Sequence, residues 1–293
     1  MKYAYFLGCT IPARANAYDA SAQQVARKLD IELVPIEGAS CCPPVSIRSL
    51  NFNSWITIAA RNLALVEKMG LDVVSLCNGC YETLNDANHI LKTNEKIKEE
   101  VNSVLKKLGL EVTGAREVKQ FTEVLYNDYA KTKLKEKMTR RLDGLKVAVH
   151  YGCHLLRPSK ISQFDNPEAP RKMDELVELT GAQSIEWDQK LKCCGGPVLA
   201  VDEKLSIKIA HEKLVSAKAA GAHCIVTPCP FCGIQFDLIQ LKVESAYDES
   251  FELPMLFLPQ LLGLSLEIET EKLGFDLHRV PLDEIVEIIL GQS

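Results

Sequence analysis

Two stretches of the chain share one order of apolar and polar positions. Lys2 to Cys9 (KYAYFLGC) aligns without a gap on Lys146 to Cys153 (KVAVHYGC), each a β-rich run ending at Gly-Cys. A second apolar run follows in each half, Ile31 to Ile36 and Ser184 to Trp187, and a third, Val73 to Leu76 and Ile225 to Thr227. Between them lie segments of helical spacing with helix ends. Asn53 is expected to cap a helix running to Met69 ahead of Gly70, and Asp202 one running to about Ala220 ahead of Gly221. The order strand, helix, strand, helix, strand in both halves predicts an α/β fold of two pseudo-symmetric Rossmann-like halves, each a mostly parallel sheet with flanking helices. The Lys- and Glu-rich segment from about Leu91 to Leu145 reads as helices with a solvated face closing the first half. The echo of Phe121-Thr122-Glu123-Val124-Leu125 in Leu258-Pro259-Gln260-Leu261-Leu262 extends the repeat and puts a boundary near residue 143, giving units 1–143 and 144–293.

Composition narrows the class. At 293 residues and 47% hydrophobic, the chain can build about two cores. No signal-like start and no apolar run near the ~20 residues of a membrane span is present, so a soluble, cytoplasmic protein is expected. A net charge of -5 and the absence of basic runs with interleaved aromatics set nucleic acid aside.

The eleven cysteines change the picture most. In a reducing compartment they point to metal binding or catalysis. Ten form two copies of one pattern: Cys9, Cys41-Cys42, Cys77-x-x-Cys80; and Cys153, Cys193-Cys194, Cys229-x-x-Cys232. In both, 34 residues separate the pair from the Cys-x-x-Cys, while 31 and 39 separate the lone cysteine from the pair. Each group follows a predicted strand, so all ten thiols are expected beyond the carboxyl ends of the sheets, where ligands of open α/β sheets gather.

Four cysteines suffice for a tetrahedral zinc site. Five leave one spare in each half at the same place, which favours an iron-sulfur cluster, either opened or a cubane beside a reactive cysteine. A four-iron core at about +2 with five thiolates carries roughly -3 and needs backbone N–H groups, helix N-termini or cations nearby. Gly8, Gly79, Gly152 and Gly195-Gly196 permit close backbone approach, and helices expected after Cys80 and Cys232 would aim positive ends at the thiolates. The ferredoxin cubane run, the G-x-G-x-x-G turn and the P-loop are all absent, so electrons for any redox chemistry must come from another subunit.

With these motifs the chain resembles the CCG-domain family, and within it the B subunits of methanogen heterodisulfide reductases. The likeness rests on the paired C-x(31 to 39)-C-C-x(34)-C-x-x-C sets, the opening YFLGC, the Cys153-His154-Leu155-Leu156-Arg157-Pro158 segment and the closing Leu277-His278-Arg279-Val280. It implies reduction of the coenzyme M-coenzyme B heterodisulfide to its two thiols by two non-cubane [4Fe-4S] clusters flanking the S–S bond, in methanogenesis. Cys9, Cys41, Cys42, Cys77 and Cys80 would hold one cluster, and Cys153, Cys193, Cys194, Cys229 and Cys232 the other. Implied partners are a C subunit with ferredoxin-type clusters and a flavin-bearing A subunit, with a hydrogenase or formate dehydrogenase for electron bifurcation. The first set departs from the Cys-Cys-Gly form, reading Cys42-Pro43-Pro44 against Cys194-Gly195-Gly196; proline removes an N–H donor, so the two clusters can differ in potential.

Other residues carry weaker signals. Arg14, Arg48, Arg157 and Lys160 follow cluster cysteines and could bind the anionic groups of the substrate, or serve as surface cations. His154 could protonate a leaving thiolate or pack behind Cys153. Cys224, which opens an apolar run, reads as a buried free thiol, Trp55 and Trp187 as core, and His150 as a satisfied core histidine. Three other functions stay open: a CCG-family electron-transfer subunit of a lactate, glycolate or succinate:quinone system, a zinc-binding interaction module, and a Cys-x-x-Cys dithiol oxidoreductase.

Overall fold

The computed structural model describes residues 1–129 and 131–290. Its eight strands are β1 (Lys2–Phe6), β2 (Glu32–Pro35), β3 (Val73–Ser75), β4 (Val118–Gln120), β5 (Lys146–Val149), β6 (Gln183–Ile185), β7 (Cys224–Thr227) and β8 (Met255–Phe257). They make two four-stranded sheets of identical order, β2-β1-β3-β4 and β6-β5-β7-β8, with every pairing parallel. The central strands are buried on both faces, as parallel sheets covered by crossover helices require.

The fourth strand of each sheet is absent from the three-strand reading. Val118–Gln120 lies inside the segment read as solvated helices, and each such strand has three residues, too short to display a period. The repeated FTEVL and LPQLL segments are the helical turns that follow these strands, Phe121–Glu123 and Leu258–Ser265.

Three helix starts also differ from expectation. The helix of the first half is Phe52–Met69, capped by Asn51, whose side chain accepts from the Ser54 N–H; Asn53 lies within its first turn. Asp202 does cap Glu203–Ala219, accepting from the Leu205 N–H. The helices expected after Cys80 and Cys232 start earlier, as Asn78–Thr93 and Pro230–Phe236, so Cys77 and Cys229 are the capping residues and Cys80 and Cys232 lie in the first turn.

The halves pack through an apolar and aromatic seam. Tyr18 stacks on Phe257 with ring centroids 4.3 Å apart and planes within 2°. A Cβ on Gly233 would lie 2.5 Å from the Phe257 ring, so only glycine lets the second Cys-x-x-Cys helix sit against that stack.

At the end of β4, Glu123 is mostly buried, its Oε2 has no partner, and desolvation pushes its carboxyl up to about 7. The corresponding Gln260 is fully bonded, to the Phe257 N–H and the Leu273 carbonyl. A carboxyl with a raised folded pKa contributes stability below its unfolded value, near 4.3, and loses it as pH rises through the folded value, by about 4 kcal/mol at most. Glu123→Gln should therefore match the parent near pH 4.5 and exceed it at pH 8 in urea unfolding. Parallel pH profiles for the two proteins would contradict this account.

Candidate metal centre

The sheet topology brings the cysteines together. In the order β2-β1-β3-β4 the succession of strands reverses between β1 and β3, and Cys9 and Cys77 follow those two strands at their carboxyl ends. Cys153 and Cys229 follow β5 and β7 in the same way. Cys41-Cys42 and Cys193-Cys194 come from the loops after β2 and β6, completing each set.

Gly8 and Gly152, at φ +72° and +73°, make the turn from strand to cysteine in a conformation L side chains avoid. A Cβ on Gly8 would stand 2.9 Å from the Cys80 Sγ; one on Gly152 would meet the Asn78 Nδ2 at 2.7 Å and the Cys232 Sγ at 3.5 Å.

The ten thiols form one series of close neighbours across both halves. Cys9 meets Cys41, and Cys41 meets Cys42. Cys42 and Cys80 are 3.2 Å apart between sulfurs. Cys80 neighbours Cys77, which neighbours Cys229 of the other half, and Cys229 neighbours Cys232. Cys232 and Cys194 are 3.4 Å apart, and Cys194 continues to Cys193 and Cys153. Cys9 and Cys41 at one end are exposed, Cys153 and Cys193 at the other are half-buried, and the six between are buried.

Such a series cannot ionise everywhere at once. Hydrogen bonds from Cys41 and Cys80 pull Cys42 down to about 4, those from Cys153 and Cys194 pull Cys193 down to about 2, and those from Cys232 and Cys77 lower Cys229. Their donors move the other way: Cys194 rises to about 12 through its bond to Cys193, and Cys41, Cys77, Cys80, Cys153 and Cys232 are also raised. Thiolate character is thus built into both sets.

The contact between Cys77 and Cys229 is secured by an amide that the sequence reading did not single out. Gln120, fully buried at the end of β4, donates from Nε2 to the carbonyls of Leu76 (3.2 Å) and Pro228 (3.0 Å), the residues immediately before those two cysteines. Tyr18 donates its hydroxyl to the same Pro228 carbonyl at 2.8 Å, and Asn78 Nδ2 bonds the Tyr151 carbonyl at 2.9 Å. A lone Gln in a three-residue strand carries no sequence signal.

The remaining candidates are dispersed. His154 pairs through Nδ1 with Glu82 of the other half, a hydrogen bond that raises its pKa. Arg48 is engaged by Asp86 and lies over the Trp55 ring, 4.9 Å from its centroid. Arg14 borders a cavity of about 50 Å³ with Asp237 and His278, and Arg157 and Lys160 border an open cleft of about 700 Å³ with His89. Cys224 is buried in β7, where desolvation raises its thiol to about 12. Trp187 donates its indole N–H to the Val149 carbonyl, and Trp55 is wholly buried. His150 corrects the reading of a satisfied core histidine: it is fully buried, its Nε2 has no partner, and a nitrogen of its ring lies with the Cys194 and Cys232 sulfurs, all within 4.8 Å of one another.

These donors fit a bulky thiolate-bound group better than a lone ion. Each set offers five sulfurs, glycine opens space beside Cys80 and Cys232, and the Gly195 and Gly196 N–H groups point at the Cys193 and Cys194 sulfurs at 3.4 Å. Among the described residues no helix is long and apolar enough to cross a membrane.

Comparison with known proteins agrees with this architecture. The cysteine-rich CCG domain matches residues 3–85 and 147–237. The chain is 40% identical, over 99% of both sequences, to the B subunit of the ferredoxin/F420H2-dependent CoB-CoM heterodisulfide reductase of Methanosarcina acetivorans. It is 34% identical, over 95% of this chain and 96% of the relative, to the 8-methylmenaquinol:fumarate reductase membrane anchor subunit of Wolinella succinogenes. A hypothetical protein from Helicobacter pylori shares the fold with a TM-score of 0.78 at 18% identity, over 96% of this chain and 52% of that one.

Gln120→Met should leave the Leu76 carbonyl without its side-chain donor and the Pro228 carbonyl with Tyr18 alone, and destabilise the protein by about 1–3 kcal/mol in urea unfolding. Tyr18→Phe, which leaves Gln120 on the Pro228 carbonyl, should cost less. Equal losses from the two variants would remove Gln120 from its special place.

Proposed function

The chain belongs to the cysteine-rich CCG domain family, and on that premise we propose that it is the catalytic subunit reducing the coenzyme M-coenzyme B heterodisulfide to the two thiols. The observation that carries the reading is the single series of ten thiols, two sets of five meeting at Cys77 and Cys229. The near-full-length identity to a heterodisulfide reductase B subunit supports it. Cys9, Cys41, Cys42, Cys77 and Cys80 would hold one [4Fe-4S] cluster of non-cubane form, and Cys153, Cys193, Cys194, Cys229 and Cys232 the second. The two CCG units divide near residue 143, and the protein works in the cytoplasm.

Two one-electron centres supply, when bound, the electron pair that breaks one S–S bond. The balance is one disulfide, two electrons and two protons to two thiols. His154, its Nδ1 held by Glu82, keeps a proton available at Nε2 for a thiolate product. Arg157 and Lys160, exposed at the edge of the open cleft, offer cations to the anionic groups of the substrate. Gln120 and Tyr18 fix the spacing of the two sets, and hence the gap the disulfide must span. Electrons would come from a C subunit with ferredoxin-type clusters and a flavin-bearing A subunit, coupled to a hydrogenase or formate dehydrogenase.

A second reading is favoured by the fumarate reductase relative: a CCG subunit that relays electrons without cleaving a disulfide.

The purified chain, analysed anaerobically, should contain about eight irons with equal sulfide and be coloured; zinc with no sulfide would end the cluster reading. Loaded protein with a reduced dye should cleave the heterodisulfide. Cys42→Ser and Cys194→Ser should each lose activity and perturb one cluster. A loaded protein inert towards the disulfide would favour the relay.

A further inference from the structure

Beneath the duplication, the two sites are surrounded by different charge. Lys213 on the helix Glu203–Ala219 is fully buried, and no carboxylate pairs with it among the described residues. Its ammonium donates to the Gln189 carbonyl, lies 3.5 Å from the His150 Nδ1 and sits 5.0 Å from the centroid of the Trp187 ring. A buried ammonium is costly unless an anion compensates it. Burial lowers its pKa to about 8, and the groups that oppose this are the sulfurs of the second set, Cys194, Cys232, Cys193 and Cys153, in their ionised form. His150 neighbours both, its Nδ1 also 3.2 Å from the Lys190 carbonyl, its Nε2 without a partner, and a ring nitrogen within 4.8 Å of the Cys194 and Cys232 sulfurs.

The first half has neither group. At the position matching Lys213, counted from the capping residues Asn51 and Asp202, stands Asn62, fully buried and neutral, bonded to the backbone of Ser40 and Cys41. At the position matching His150, counted from the lone cysteine, stands Phe6. The two amide donors from Gly195 and Gly196 to the second pair have no counterpart either, because Pro43 and Pro44 carry no N–H. All three differences place positive charge or donors behind the second set.

We propose that Lys213, linked through His150, is the buried counter-charge of the second cysteine set and makes that site the more readily reduced of the two. The proposal rests on the cluster reading above. Reduction adds one negative charge to a site, and a cation held behind it, in contact with His150 in a low-dielectric interior, favours the reduced form by roughly tenfold or more. The first electron therefore settles on the second set, and the first set receives the later one. Lys213 is a positioning residue for charge and need not touch the substrate.

The test is a redox titration followed by electron paramagnetic resonance on the full chain loaded with iron and sulfide. Two midpoints are expected, the higher one lost in Cys194→Ser and kept in Cys42→Ser. Lys213→Met should lower that midpoint alone, by about 59 mV for each tenfold change in a one-electron ratio, while Lys213→Arg keeps it. The proposal is overturned if the higher midpoint belongs to the first set, or if Lys213→Met, with both sites loaded, moves neither midpoint or both equally. Absence of iron and sulfide from the parent protein would instead defeat the cluster reading, and this proposal with it. Should Lys213→Met fail to load, the assignment from the two cysteine variants decides alone.

Discussion

The contact between the two Cys-x-x-Cys loops is the constraint on which the rest depends. For Cys77 to meet Cys229, two parallel sheets must present their carboxyl ends to each other, and the strand-to-cysteine turns must be made by glycine. A seam of Tyr18, Phe257, Gln120 and Asn78 must then hold the halves in register. A displacement of one half against the other would separate Cys77 from Cys229 and divide one series of ten thiols into two groups of five.

Much of this was legible in the residues. The aligned KYAYFLGC and KVAVHYGC runs announce the first strand of each sheet, because a short apolar run of β-branched or aromatic composition ended by Gly-Cys leaves few other structures. The equal spacing of the cysteine pairs and Cys-x-x-Cys motifs gave the duplication, and the Gly-Cys ends placed the thiols. The fourth strands, β4 and β8, were hidden: Lys119 lends Val118–Gln120 a polar look within a Lys- and Glu-rich segment, and Met255–Phe257 runs straight into the apolar helix after it. Asn51 took the cap from Asn53 because either side chain can accept from a first-turn amide, and the choice is made by where Trp55 and Ile56 enter the core.

The electrostatic residues were the least legible. Gln120, Glu82 and Lys213 act through partners 44 to 108 positions away, or through a pocket shared with thiols from three loops. Sequence distance carries no trace of such pairings. His150 was read from its place in an apolar strand, which predicts burial correctly and says nothing about whether each ring nitrogen finds a partner. The duplication itself hides the differences that matter, since matching cysteine patterns draw attention away from Phe6 against His150 and Asn62 against Lys213.

The exposure of the thiols along the series bears on how the protein is made. Cys77 and Cys80 are buried partly because the second half covers them, through Cys229 and the Tyr151 and Pro228 carbonyls that bond Asn78, Gln120 and Tyr18. A first half standing alone would present those sulfurs uncovered, and docking of the second half would close the way to them.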